Sequence, residues 1–82
     1  MAYKVYILYS ALRDKYYIGF TSDTLKERLR RHNSNHKGFT GSNGDWIIVY
    51  FEEHDDKKAA MKREAEIKNW KSRTRIESLF KW

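Results

Sequence analysis

The chain opens with a period of two. In YKVYILYS, residues 3–10, Tyr3, Val5, Ile7 and Tyr9 fall on one face while Lys4, Tyr6 and Leu8 fall on the other, which is the alternation of an extended strand. A polar connection, ALRDK, leads to YYIGF at 16–20, a second short run of aromatic and aliphatic residues, and so brief a link favours an antiparallel hairpin. The period then lengthens. In TSDTLKERLRRHN, Leu25 and Leu29 recur one helical turn apart, and Thr24 followed three residues later by Glu27 fits a capping box, with Ser22 and Asp23 as competing caps. A helix is therefore expected to run to about residue 33.

Residues 33–45, NSNHKGFTGSNGD, hold three of the four glycines and read as a loop, of a length that in small domains tends to serve function. The run WIIVYFEE that follows is apolar on both faces and is expected to be the central strand. Asp55 or Asp56 is placed to cap a helix through KKAAMKREAEIKNW. Ser72 is placed to cap a final short helix, RTRIESLF, whose Ile76, Leu79 and Phe80 make an apolar stripe. The order β-β-α-β-α-α predicts an α+β fold, a small three-stranded antiparallel sheet flanked by helices.

With 82 residues the chain allows one compact core, so residues 1–82 are read as a single domain. There is no cysteine, which removes disulfides and thiolate metal sites and suits a reducing compartment. Three Trp, six Tyr and four Phe leave packing as the source of stability. No apolar run reaches membrane-span length and the first residues lack the pattern of a signal peptide, so the expected location is cytoplasmic, with no membrane partner. The net charge of +6 is lopsided: residues 1–56 hold eight Lys/Arg against eight Asp/Glu, residues 57–82 nine against three. Such a basic end is the footprint of a polyanion partner such as nucleic acid, or else a solvated lysine-rich helix face.

Several polar groups fall where the pattern wants apolar ones. On the first helix Arg28 and His32, one turn apart, share an arc with Leu25 and Leu29, whereas Arg30 and Arg31 point to solvent. Either Arg28 covers the apolar stripe with its methylenes, or Arg28 and His32 reach one site. On the second helix Glu64 lies between Ala60 and Ile67, the middle of the apolar face. A carboxylate aimed at the sheet must be paired, hydrogen-bonded or metal-bound, so it is a site candidate or half of a salt bridge to Arg28 or a nearby lysine. Within the second strand Gly19 marks either a bulge or a close approach to the backbone. In a suitable register Tyr6, Tyr17 and Gly19 share a face.

KVY at 4–6, YIG at 17–19, Arg28 and His32 in ERLRRH, and Glu64 in MKREAEIKNWK together resemble the GIY-YIG nuclease domain, most closely its small stand-alone branch. The likeness extends from Tyr3 to about Leu79. Lys4 and Val5 stand where the family's name has Gly and Ile, and an asparagine that many members carry beyond the glutamate has no counterpart placed here. The resemblance implies metal-dependent hydrolysis of DNA phosphodiesters. Tyr6 would position or activate the attacking water, Tyr17 would sit close to the scissile phosphate and Gly19 would give the site clearance. Arg28 would bind the phosphate, His32 would support it or assist proton transfer, and Glu64 would hold a single divalent ion. One carboxylate completed by waters and a phosphate oxygen suits Mg²⁺, with Mn²⁺ as a substitute; His32 and His36 lack the further ligands zinc wants. Lys37, Lys68 and Lys71 are expected to contact nucleic acid. The rival readings are a non-catalytic nucleic-acid-binding module on the same scaffold and a domain that docks an acidic protein. A protein partner that supplies DNA affinity is also compatible with so small a chain.

Overall fold

The structure is a computed structural model that describes residues 2–34 and 44–81. Its elements are β1 (Tyr3–Ser10), β2 (Lys15–Thr21), α1 (Leu25–Ser34), β3 (Trp46–His54), α2 (Lys57–Trp70) and α3 (Arg73–Glu77). The order is the β-β-α-β-α-α of the sequence reading, with all strand pairs antiparallel.

The sheet order is β2-β1-β3, which corrects the expectation that WIIVYFEE is central. β1 takes that place because its Val5, Tyr6, Ile7 and Leu8 are buried on both faces, at most 1% exposed, whereas Ile47 and Phe51 of β3 are 54% and 49% exposed. β1 and β2 pair without interruption, Tyr6 opposite Gly19 and Leu8 opposite Tyr17. Between β1 and β3 the register slips: Ile7 faces Tyr50 and Leu8 faces Ile48, so Val49 is an extra residue. Since alternation is strict, this bulge moves every residue before Val49 to the opposite face from the one that counting back from Tyr50 would assign.

One face of the sheet carries the main core, Val5, Ile7 and Ile18 packed with Ala60 and Ile67 of α2 and Ile76 of α3. Asp56 caps α2, its carboxylate accepting from the Ala59 amide at 2.8 Å. Ser72 caps α3 in the same way through the Arg75 amide. α3 ends at Glu77, earlier than RTRIESLF suggested, and its chain continues in turns that still present Leu79 and Phe80 to the core. Tyr16 donates to Glu77 at 2.6 Å and Arg73 pairs with Asp14 at 2.7 Å, fastening α3 to the β1–β2 turn. The other face carries Tyr6, Leu8, Tyr17 and Gly19, with α1 lying against β3.

Candidate active site

Tyr6 projects from the most buried strand and is 1% exposed. Directly across from it, Gly19 has no side chain, and a Cβ there would lie 2.7 Å from Tyr6 Oη, 2.9 Å from Tyr6 Cζ and 3.0 Å from Tyr17 Cε1. Of the two readings of Gly19, close approach is the one realised, since the β1–β2 register has no bulge. Tyr17 follows two positions away on the same face, half-exposed, its ring 6.3 Å from that of Tyr6 and inclined by 24°.

α1 brings the next two groups. Thr24 is its cap, accepting from the Glu27 amide at 3.1 Å, while the Glu27 carboxylate is engaged by Arg30 and Arg31 on the solvent side. Arg28 and His32 thereby turn toward the sheet. The His32 ring stands edge-on to Tyr17 at 4.5 Å and to Tyr6 at 6.5 Å. Burial, reinforced by the charge of Arg28, holds His32 below its ordinary value, so its imidazole is neutral at pH 7. The Arg28 guanidinium lies beside the Tyr6 phenol and acts on its ionisation as a weak hydrogen-bond partner, short of full hydrogen-bond geometry. Tyr6 Oη and Arg28 Nε are the buried side-chain polar atoms that find no partner among the described residues. Burial raises Tyr6 above its usual value although Arg28 acts against the shift, so the phenol keeps its proton at neutral pH. Proximity to Tyr6 in turn raises Arg28, whose charge is permanent.

Glu64 lies on α2 with its side chain 19% exposed and pairs with Lys68 at 3.2 Å. Its negative charge is felt at Tyr6, where it helps to raise the phenol. Of the two salt bridges the sequence left open, the lysine pair is thus the one formed. Among the described residues no three His, Cys, Asp or Glu side chains are grouped as a metal cage. A single part-exposed carboxylate, paired with Lys68 and in electrostatic reach of the Tyr6 phenol, fits a hard cation that keeps most of its waters, and not zinc.

Tyr6, Tyr17, Gly19, Arg28 and His32 therefore converge, with Glu64 in electrostatic reach. Lys68 is held by Glu64, and Lys71 ends α2 in a left-handed conformation with φ 49°. Lys71 lines a separate groove with Lys15, Ser72 and Arg73. Lys37 and His36 lie outside the described residues. Of the nine cations in the basic third, four, Arg63, Lys68, Arg73 and Lys81, are paired with carboxylates.

Sequence reasoning passed over Trp46. Its ring is 6.4 Å from Tyr17 and 6.0 Å from His32, and the Arg13 guanidinium sits 5.6 Å above it. Two polar side chains hold it there. Asn33, in the last turn of α1, accepts from the Trp46 amide at 2.9 Å and donates to its carbonyl at 3.1 Å. Asp45 accepts from the buried Ser10 hydroxyl at 2.5 Å and from the Leu12 amide at 2.8 Å, tying the start of β3 to the β1–β2 turn. The available signal was a tryptophan at the mouth of a strand straight after a glycine-rich loop.

A three-stranded antiparallel sheet that presents two tyrosines from a hairpin, with an arginine and a histidine from the following helix, is the arrangement the tripeptide spacing anticipated. The sequence matches the GIY-YIG catalytic domain family over residues 2–77, and the chain belongs to that family, which is a nuclease family. Among solved structures it resembles the solution NMR structure of the UPF0213 protein BH0048 from Bacillus halodurans, with 31% identity and a TM-score of 0.60. That likeness covers 96% of this chain and 82% of the other. No curated protein sequence matches it significantly. No described helix is long and apolar enough to cross a membrane.

Proposed function

We propose that the chain is a divalent-metal-dependent endonuclease that hydrolyses DNA phosphodiester bonds, with Tyr6 and Tyr17 at the attacking water, Arg28 on the phosphate and Glu64 on the metal. The observation that carries this reading is the buried, unpartnered pair of Tyr6 Oη and Arg28 Nε beneath the Tyr17 and His32 rings. Buried polar atoms are nearly always hydrogen-bonded, and a phosphate oxygen and a water are the partners this pair lacks. Arg28 supplies donors to a phosphate oxygen and stabilises the charge that grows on it in the pentavalent state. The Tyr6 phenol keeps its proton and so is a poor base; it orients water by hydrogen bonding instead. Neutral His32 is free to accept the proton the water loses. Gly19 keeps the floor low enough for these groups to meet. Glu64 would hold the cation, Mg²⁺ or Mn²⁺, which supplies Lewis-acid neutralisation of the phosphodiester.

Purified protein should nick or cut DNA when Mg²⁺ is added, and Glu64→Ala and Arg28→Ala should each abolish cutting while circular dichroism and melting stay native. Inertness across single-stranded, duplex, flap and branched DNA would overturn the proposal. The Lys68–Glu64 ion pair favours one second reading, a non-catalytic nucleic-acid-binding module in which that carboxylate is structural. Salt-sensitive binding that survives Glu64→Ala, without cleavage by the wild type, would select it.

A further inference from the structure

Tyr6, Tyr17 and Trp46 form a row of rings leading outward from the buried phenol, with centroids 6.3 Å and then 6.4 Å apart. Tyr6 is buried, Tyr17 is 39% exposed and Trp46 is partly exposed. Beyond them the Arg13 side chain, 48% exposed, lies over the Trp46 ring, its Nη1 donating to Ser10 Oγ at 3.3 Å and reaching Asp45 at 3.5 Å. A half-exposed guanidinium above a ring, held by two long polar contacts, marks that face as reachable from solvent. The Trp46 ring is also specifically placed. It reaches this face only because of the bulge at Val49, and both its backbone groups are fixed by the Asn33 amide. A tryptophan that merely filled core would join the cluster on the other face, which does not include it.

We infer that Trp46 is a stacking platform for an unpaired DNA base next to the phosphate bound by Arg28, with Arg13 swinging aside to a neighbouring backbone phosphate. An aromatic face flanked by a cation is the chemistry that holds single-stranded nucleic acid. Bases within a duplex have both faces covered by their neighbours, so Trp46 can accept one only where the strand is unpaired or the base is extruded. The substrate class is therefore DNA with an unpaired nucleotide beside the cleavage point. This rests on the nuclease reading for the scissile phosphate, but the binding it predicts does not require cleavage.

The test is fluorescence anisotropy of the whole chain in chelator, with fluorescein-labelled oligothymidine and a blunt duplex of equal length as probes. Wild type should bind the single strand more tightly. Trp46→Leu should lose roughly tenfold to a hundredfold in single-strand affinity, by the usual worth of one stacked base, with little change toward duplex. Trp46→Phe should retain most of the preference, since its ring still offers a face to stack on. Should Trp46→Leu fail to fold, an oligothymidine with abasic positions probes the wild type directly and should bind more weakly. Equal single-strand binding by wild type and Trp46→Leu, or indifference to abasic sites, would overturn the inference even if DNA is cut. Loss of binding in Trp46→Leu from a protein that cuts nothing would sustain it and overturn the nuclease reading instead.

Discussion

Replacing Tyr6 by Phe separates the two things this residue does. The ring fills the space under α1 and is 1% exposed, and phenylalanine keeps it. The hydroxyl is buried without a hydrogen-bond partner, a state that costs about 1–3 kcal/mol of desolvation. Against that stands the attraction of its oxygen for Arg28, which is seen as the guanidinium acting to lower the phenol's raised pKa. Removing the oxygen gives up this attraction and leaves a gap of one atom. The balance predicts that Tyr6→Phe leaves the fold unchanged or more stable by up to about 1.5 kcal/mol, a rise of several degrees in melting temperature for a domain of this size. Cleavage should fall by about a hundredfold or more, the usual worth of a group that positions or relays the attacking water. Urea unfolding at constant m-value and a plasmid-nicking assay measure the two halves. Destabilisation beyond about 1 kcal/mol would mean that the hydroxyl is hydrogen-bonded in the folded protein, and unaltered cutting would remove Tyr6 from the chemistry.

Gly19→Ala should destabilise the fold by about 1–3 kcal/mol by overpacking against the Tyr6 phenol, and the loss should shrink in a Tyr6→Phe background, where the 2.7 Å contact with Oη is gone. Denaturant melts of the four proteins in the cycle give the coupling, and additive losses would count against the contact. Burial and Arg28 depress His32, so the folded state binds fewer protons than the unfolded chain. Its contribution to stability is present above the ordinary value of about 6.5 and is lost as pH falls from there through the depressed value; a His32→Gln protein should lose that part of the slope in melting temperature against pH. Asn33→Ala strips both hydrogen bonds from the Trp46 backbone and should cost about 1–3 kcal/mol, with hydrogen exchange at the Trp46 amide accelerated more than at Ile7.

Local chemistry made much of this legible from sequence. Thr24, Asp56 and Ser72 each cap where their side chains can bond amides three residues on, a relation that spacing alone encodes. The hairpin face shared by Tyr6, Gly19 and Tyr17 follows from two short strands with a short link. What failed was non-local. A run that is apolar on both faces marks a strand buried on both sides, but WIIVYFEE gains its apolar excess from Ile47 and Phe51, which stay exposed at the sheet edge, while β1 hides the centre behind polar spellings such as Tyr6. Trp46 was invisible for a sharper reason. Counting by two from Tyr50 puts it on the core face, and one extra residue at Val49, which no local preference announces, puts it on the other.

The distribution of unsatisfied polar atoms argues for function more strongly than the basic charge that first suggested it. Elsewhere in the described residues buried polar groups are met: Ser10 donates to Asp45 and receives the Arg13 amide, Thr21 receives the Asp23 amide, and Glu52 is held by Tyr50, His54 and Arg63. The two orphans lie together, on a strand and a helix remote in sequence, close enough for each group to shift the other's ionisation. A scaffold selected for stability alone would close that gap or replace Tyr6 by phenylalanine. Gly19 instead removes the side chain that would fill the space around the phenol, and α1 is capped and fastened so that Arg28 and His32 stay on station. Local frustration of this kind, enclosed by satisfied structure, is what a preorganised site looks like before its substrate arrives.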